Sequence, residues 1–102
     1  MLAITPDAGI NLAIKHQPDL VLLDIDMPGI SGIEVAQMLR REPRTETIPI
    51  IFLSAYDTEL EKRRAQELAA ADFLAKPCSF KELQNAVEGV LLTSELAQQQ
   101  MN

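Results

Sequence analysis

Asp24, Ser54 and Lys76 are the residues of this chain whose types and placing could do chemistry together, each standing at the end of a short apolar run. Asp24 follows Leu20-Val21-Leu22-Leu23, Ser54 follows Ile48 to Leu53, and Lys76-Pro77 follows Asp72 to Ala75. In an open parallel sheet, reacting groups collect at the carboxyl ends of the strands, where loops and helix N-termini meet. A carboxylate, a hydroxyl and an ammonium gathered there suit phosphoryl transfer. The carboxylate attacks, the hydroxyl donates to a phosphoryl oxygen and the ammonium offsets negative charge. Taken singly, none of the three is specific. An Asp or Ser at a strand end ordinarily serves a turn or a local backbone donor, and a lone Lys is ordinarily solvated. Only the combination points to a site.

The elements that must position these residues follow from hydrophobic spacing. Four short apolar segments, Leu2 to Ile4, Leu20 to Ile25, Ile48 to Leu53 and Asp72 to Ala75, alternate with longer stretches whose apolar residues fall at helical intervals. The second and third segments are nearly continuous hydrophobic runs, as expected for parallel strands covered on both faces. A three-layer α/β fold is therefore predicted. Its first helix runs from Pro6 to Lys15, capped by Thr5, and ends at Gln17-Pro18. The second starts after Ser31-Gly32 and turns Ile33, Val35, Ala36 and Leu39 inward before the turn Glu42-Pro43-Arg44-Thr45. A third spans Thr58 to Ala69, with Leu60, Ala65, Leu68 and Ala69 as a thin apolar face and Glu59 to Arg64 as its solvated one. The fourth opens with Ser79 and Glu82 at capping-box spacing and carries Phe80, Leu83, Val87, Val90 and Leu91 inward.

Length and charge bound the function. One compact domain fits 102 residues at 47% hydrophobic content, and two do not. With 9 Lys and Arg against 15 Asp and Glu, the net charge of −6 has the wrong sign for coating nucleic acid or an anionic membrane. Protein partners are expected instead, with no contact to nucleic acid by this domain. The single cysteine, Cys78, rules out an intramolecular disulfide and reads as a small buried hydrophobe. Met1 to Ile10 lacks the basic start and apolar run of a signal peptide, and no apolar run approaches the length of a membrane span, so a cytoplasmic domain is expected. His16, without partner ligands, reads as a helix-end residue.

The segment Pro18-Asp19-Leu20-Val21-Leu22-Leu23-Asp24-Ile25-Asp26-Met27-Pro28-Gly29-Ile30-Ser31-Gly32 resembles the phosphorylation-site segment of two-component response-regulator receivers. Ile50-Ile51-Phe52-Leu53-Ser54-Ala55 resembles the strand bearing that family's switch hydroxyl. Ala71-Asp72-Phe73-Leu74-Ala75-Lys76-Pro77 resembles the strand bearing its switch aromatic and its lysine. The resemblance covers essentially the whole chain and implies a flavodoxin-like, or CheY-like, parallel sheet with helices on both faces. By position it implies Asp24 as phosphoacceptor, Ser54 as phosphoryl-binding hydroxyl with Ala55 leaving access, Lys76 as the charge partner and Phe73 as the switch aromatic. It also implies Asp24 and the backbone carbonyl of Asp26 as Mg²⁺ ligands, a cis Lys76-Pro77 peptide, and a histidine kinase or phosphotransfer protein as partner.

The resemblance begins at the family's second strand, so residues 1–102 are expected to form a single, N-terminally incomplete receiver domain lacking the first strand and helix. The acidic pair that ends the family's first strand is not supplied upstream of Asp24, and Mg²⁺ binding is expected to be weak or absent. Cys78 stands where the family often has an aromatic. The uncovered strand edge can be repaired by Leu2 to Ile4 sliding in beside Leu20 to Ile25 or by a second copy, and because both leave one face covered only by the last helix, a homodimer burying that face through Ser79 to about Leu96 is expected. Three functions remain open on sequence. One is a phosphoacceptor receiver, a signalling domain rather than an enzyme. Another is an interaction-only receiver with impaired phosphorylation. The least favoured is a haloacid-dehalogenase-type phosphatase, suggested by Asp24-Ile25-Asp26 but disfavoured by the short chain and the lack of a late acidic pair.

Overall fold

Three strands, β1 (Val21–Asp24), β2 (Ile50–Ser54) and β3 (Asp72–Ala75), pair in parallel in the order β1-β2-β3. Four helices, α1 (Pro6–His16), α2 (Gly32–Arg41), α3 (Glu59–Glu67) and α4 (Phe80–Met101), complete the alternation. The computed structural model describes residues 6–26, 31–55 and 58–101, with the side chains of 10–26, 31–55 and 58–93. The predicted strand at Leu2 to Ile4 and the Thr5 cap lie outside the described residues. No described helix is long and apolar enough to cross a membrane.

β2 lies between the other two strands, with Ile50, Ile51 and Phe52 all fully buried, which accounts for its unbroken apolar run. β3 spans the predicted segment Asp72 to Ala75, whereas β1 and β2 are shorter than the apolar segments that announce them. Leu20 and Ile25 flank β1, and Ile48-Pro49 precede β2, where Pro49 offers no N–H to a ladder. Val21, Leu23 and Ile25 share one core with Ile50 and Phe52 of β2 and with Ile33, Val35, Ala36 and Leu39 of α2. All four residues predicted to point inward from α2 are buried. Ser31 caps this helix, its hydroxyl accepting from the Ile33 N–H at 3.1 Å.

The helix ends are closed by side chains rather than by glycine. Gln17 stops α1 in the left-handed region (φ 46°), and its amide donates to the carbonyls of Ile14 at 3.2 Å and Arg44 at 3.0 Å. In the turn after α2, Thr45 is fully buried and its hydroxyl donates to the Leu39 carbonyl at 2.8 Å. Arg40 joins three segments. Its guanidinium donates to the carbonyls of Glu46 (2.8 Å), Ile48 (2.7 Å), Leu68 (2.8 Å) and Ala69 (3.4 Å), tying the end of α2 and the start of β2 to the end of α3.

Two predicted apolar faces are corrected. On α3 only Ala65 is buried. Leu60, five positions earlier and so about 140° around the helix, is 57% exposed, and Ala69 lies past the helix end in the left-handed region (φ 55°). On α4 the stripe Leu83, Val87, Val90 and Leu91 is half-buried, but Phe80 is 79% exposed. A helix of 22 residues is roughly twice as long as strands of four or five residues, so part of it must overhang the sheet. Ser79 caps α4 as predicted, its hydroxyl accepting from the Glu82 N–H at 3.0 Å.

Arg40→Ala should destabilise the fold by about 2 kcal/mol, since it removes charge-assisted bonds to four carbonyls, of which those of Ile48 and Leu68 are partly shielded from water. Arg40→Lys should recover little of this, because an ammonium lacks the planar fork. Urea denaturation of the three proteins checks both, and a fully stable Arg40→Lys protein would show that only the charge matters.

Candidate functional site

The parallel register carries the C-terminal ends of all three strands to one edge of the sheet. Asp24 pairs with Leu53 and Ser54 with Ala75, while the Ile25 N–H donates to the Leu53 carbonyl at 2.8 Å and the Lys76 N–H to the Ser54 carbonyl at 2.7 Å. Asp24, Ser54 and Lys76 therefore stand at adjacent strand ends. The Lys76 ammonium donates to Asp24 Oδ2 across 52 positions of sequence, and the Asp26 N–H donates to Asp24 Oδ1 at 2.8 Å. The Lys76-Pro77 peptide is cis.

About a third of each partner's side-chain surface stays accessible, 32% for Asp24 and 34% for Lys76. Burial pushes the Asp24 carboxyl up. The bonds from Lys76 and from the Asp26 N–H, together with the Lys76 charge, outweigh it and hold the group below its ordinary range. Asp24 is therefore an ionised, reachable carboxylate at neutral pH, with a cation fixed beside it.

Close packing sets the position of this strand end. Gly32, the first residue of α2, lies against it so tightly that a Cβ there would come within 2.6 Å of the Asp24 carbonyl oxygen and 3.1 Å of the Ile25 Cα. Both neighbours are backbone, which cannot swing aside, so only glycine lets α2 start here. The sequence motif ending in Ser31-Gly32 thus serves both the helix cap and the approach to Asp24.

The remaining residues singled out on sequence fall in differing places. Ser54 is fully buried, and its hydroxyl donates to the carboxylate of Glu61 in the first turn of α3. Phe73 pairs with Phe52 in the sheet register, is half-buried against the core, and borders a cavity of about 310 Å³ shared with Lys62 and Ala65. The Asp26 side chain turns towards the end of β2, its Oδ2 accepting from the Ala55 N–H at 2.6 Å. Cys78 is half-buried rather than buried, and His16 is exposed at the end of α1. Sequence reasoning missed Glu61 as a participant and the Ala55 N–H as a donor. Nothing in the pattern of α3 distinguishes Glu61 from its charged neighbours Glu59 and Glu67.

Among the described residues no three His, Cys, Asp or Glu side chains converge. Asp24 offers one carboxylate and Asp26 a backbone carbonyl, while the Asp26 carboxylate is engaged by the Ala55 N–H, so phosphate and water would have to complete a Mg²⁺ shell. The donor set fits an ion that arrives with phosphate, not a resident one.

Residues 2–88 match the family model described as the response regulator receiver domain. The chain is 45% identical over 77 residues to the phosphate regulon transcriptional regulatory protein PhoB of Rhizobium meliloti, covering 76% of this chain and 34% of that protein. It is 35% identical over 83 residues to protein PilH of Pseudomonas aeruginosa, covering 81% of this chain and 69% of that protein. A solved putative response regulator from Chloroflexus aurantiacus superposes with a TM-score of 0.78 at 32% identity, covering 88% of this chain and 74% of that one. The chain thus spans about a third of the length of the PhoB relative.

The depressed Asp24 pKa has a definite sign in stability. Its contribution is present above the unfolded-state value of about 3.9 and is lost as pH falls through the lower folded value. Because the pair is a third exposed, the effect should stay below about 1 kcal/mol. Asp24→Asn lacks this component, so its urea stability should fall less steeply than the parent's on acidification below about pH 4. Equal slopes would mean that the ion pair adds nothing to folding.

Proposed function

Because the chain belongs to the response regulator receiver family, we propose that it is a phosphoacceptor signalling domain that takes a phosphoryl group on Asp24 from a histidine kinase or phosphotransfer protein. Residues 1–102 act in this reading as one receiver domain. The observation that carries it is the ion pair between Asp24 and Lys76, which leaves a nucleophilic carboxylate ionised and a third exposed at the sheet edge.

A carboxylate oxygen of Asp24 attacks the phosphorus of a phosphohistidine. An oxygen–phosphorus bond forms, the nitrogen–phosphorus bond breaks, and the leaving imidazole takes a proton from water. Lys76 offsets the charge on the transferring group, and the Ser54 hydroxyl and Ala55 N–H are the donors nearest at the end of β2. Asp24 and the backbone carbonyl of Asp26 would hold Mg²⁺, which when bound neutralises phosphoryl oxygens. Phe73, half-buried beside a cavity at the outer strand, is the aromatic that reports the change to a protein partner. Chemistry ends at the acyl phosphate, so the domain signals rather than turns over a substrate.

Assembly is the second part of the proposal. The α4 stripe Leu83, Val87, Val90 and Leu91 keeps accessible surface in the single chain, and Leu92 beside it is 58% exposed. A homodimer through α4 would cover it. A net charge of −6 disfavours contact with nucleic acid by this domain.

Incubation with a small phosphodonor and Mg²⁺ should add one phosphoryl group to the intact protein by mass spectrometry, and Asp24→Asn should remove the label while leaving the fold intact. Labelling that persists in this variant would assign another acceptor. Light scattering at micromolar concentration should give twice the chain mass. A monomer that binds no hydrophobic-surface dye would defeat the dimer.

A further inference from the structure

The two donors at the end of β2 are both already engaged by carboxylates. Ser54 gives its hydroxyl proton to Glu61, and Ala55 gives its N–H to Asp26 at 2.6 Å. Each donor has a single hydrogen. Neither can serve an anion arriving on the neighbouring strand end, at Asp24, while it serves its resident partner. Glu61 and Asp26 thus hold the two donors at the end of β2.

The residents differ in what they are attached to. Asp26 lies two residues from Asp24 on the same strand end. Glu61 belongs to α3, a helix in which only Ala65 is buried. The Thr58 hydroxyl accepts from the Glu61 N–H at 3.2 Å within the helix's own first turn. The Glu61 carboxylate then reaches the sheet through Ser54.

We propose that Glu61 is a positioning residue that restrains the Ser54 hydroxyl in the unphosphorylated state, so that phosphorylation of Asp24 must displace the Glu61 carboxylate and thereby frees the N-terminal end of α3. This rests on the phosphoacceptor reading above and adds to it the competitor for the hydroxyl and the helix that responds. Glu61 acts only through Ser54 and does not touch the reacting atoms.

The test is a double-mutant cycle. Glu61→Ala, Glu61→Gln, Ser54→Ala and the Glu61→Ala/Ser54→Ala double variant are each incubated with acetyl phosphate and Mg²⁺, and the phosphorylated fraction and its decay are followed by mass spectrometry. Glu61→Ala should raise the ratio of phosphorylated to unphosphorylated protein by roughly tenfold, the scale of one charge-assisted hydrogen bond. Glu61→Gln, which keeps a neutral acceptor, should fall between it and the parent. In the Ser54→Ala background the Glu61→Ala effect should vanish, an outcome that a merely structural role for Glu61 does not produce. Urea midpoints of all variants verify that they are folded. A labelled parent with an unchanged Glu61→Ala ratio, or an effect that survives in the Ser54→Ala background, overturns the inference and leaves the phosphoacceptor reading standing. A parent that takes no label overturns both.

Discussion

Parallel pairing in a fixed register is the constraint on which everything else depends. It sends the three strand ends to the same edge, so that residues 52 positions apart in sequence meet as an ion pair. The register is itself held from both sides of β1's end. The Ile25 N–H is bonded to Leu53, and the Asp24 carbonyl is pressed by Gly32, where no side chain fits. β2 can serve as the reference because its side chains are buried on both faces. A one-residue slip would exchange those faces and withdraw the Ser54 carbonyl from the Lys76 N–H.

Partial exposure of the ion pair reconciles holding a charge with using it. A fully buried carboxylate and ammonium would lose much hydration, and either would be costly to strand when its partner moved. A fully exposed pair would be weak and screened by salt. At about one third exposure, Lys76 keeps Asp24 ionised without sealing it from solvent. Ser54 is in the opposite condition. It is fully buried, and its hydroxyl must always be satisfied from within the protein, so a change of partner is the only response open to it.

The parts of this architecture that depend on periodicity were legible in the sequence. The spacing of Ile33, Val35, Ala36 and Leu39 named the buried face of α2, and the unbroken run before Ser54 marked the strand buried on both sides. Periodicity gives an angle around a helix but not what stands opposite, which is why Leu60 and Phe80 were expected inside and lie exposed. Contacts between distant polar groups leave no local pattern at all. Nothing around Arg40 announces four carbonyls, and nothing around Gln17 announces a left-handed helix end closed by its own amide. Asp24 and Lys76 could be singled out because one ends a strand and the other follows one. Glu61 sits inside a charged helix turn that reads as a solvated face, and its role appears only when the helix is set beside Ser54.

The two ends of α3 are held by bonds of different character, and this bears on which elements can answer a change at Asp24. Segments with few buried apolar contacts open most readily, and α3, with one buried residue, is such a segment among those described. At its C-terminal end the Leu68 carbonyl accepts from Arg40, whose guanidinium also holds Glu46 and Ile48 and has no reason to change partners when charge appears at the far edge of the sheet. At its N-terminal end, among the described residues, the Glu61 carboxylate accepts from the Ser54 hydroxyl of β2. A multidentate guanidinium holds one end of the helix, whereas the other includes an exchangeable hydrogen bond from a hydroxyl. That end faces the strand edge where Asp24 and Lys76 meet.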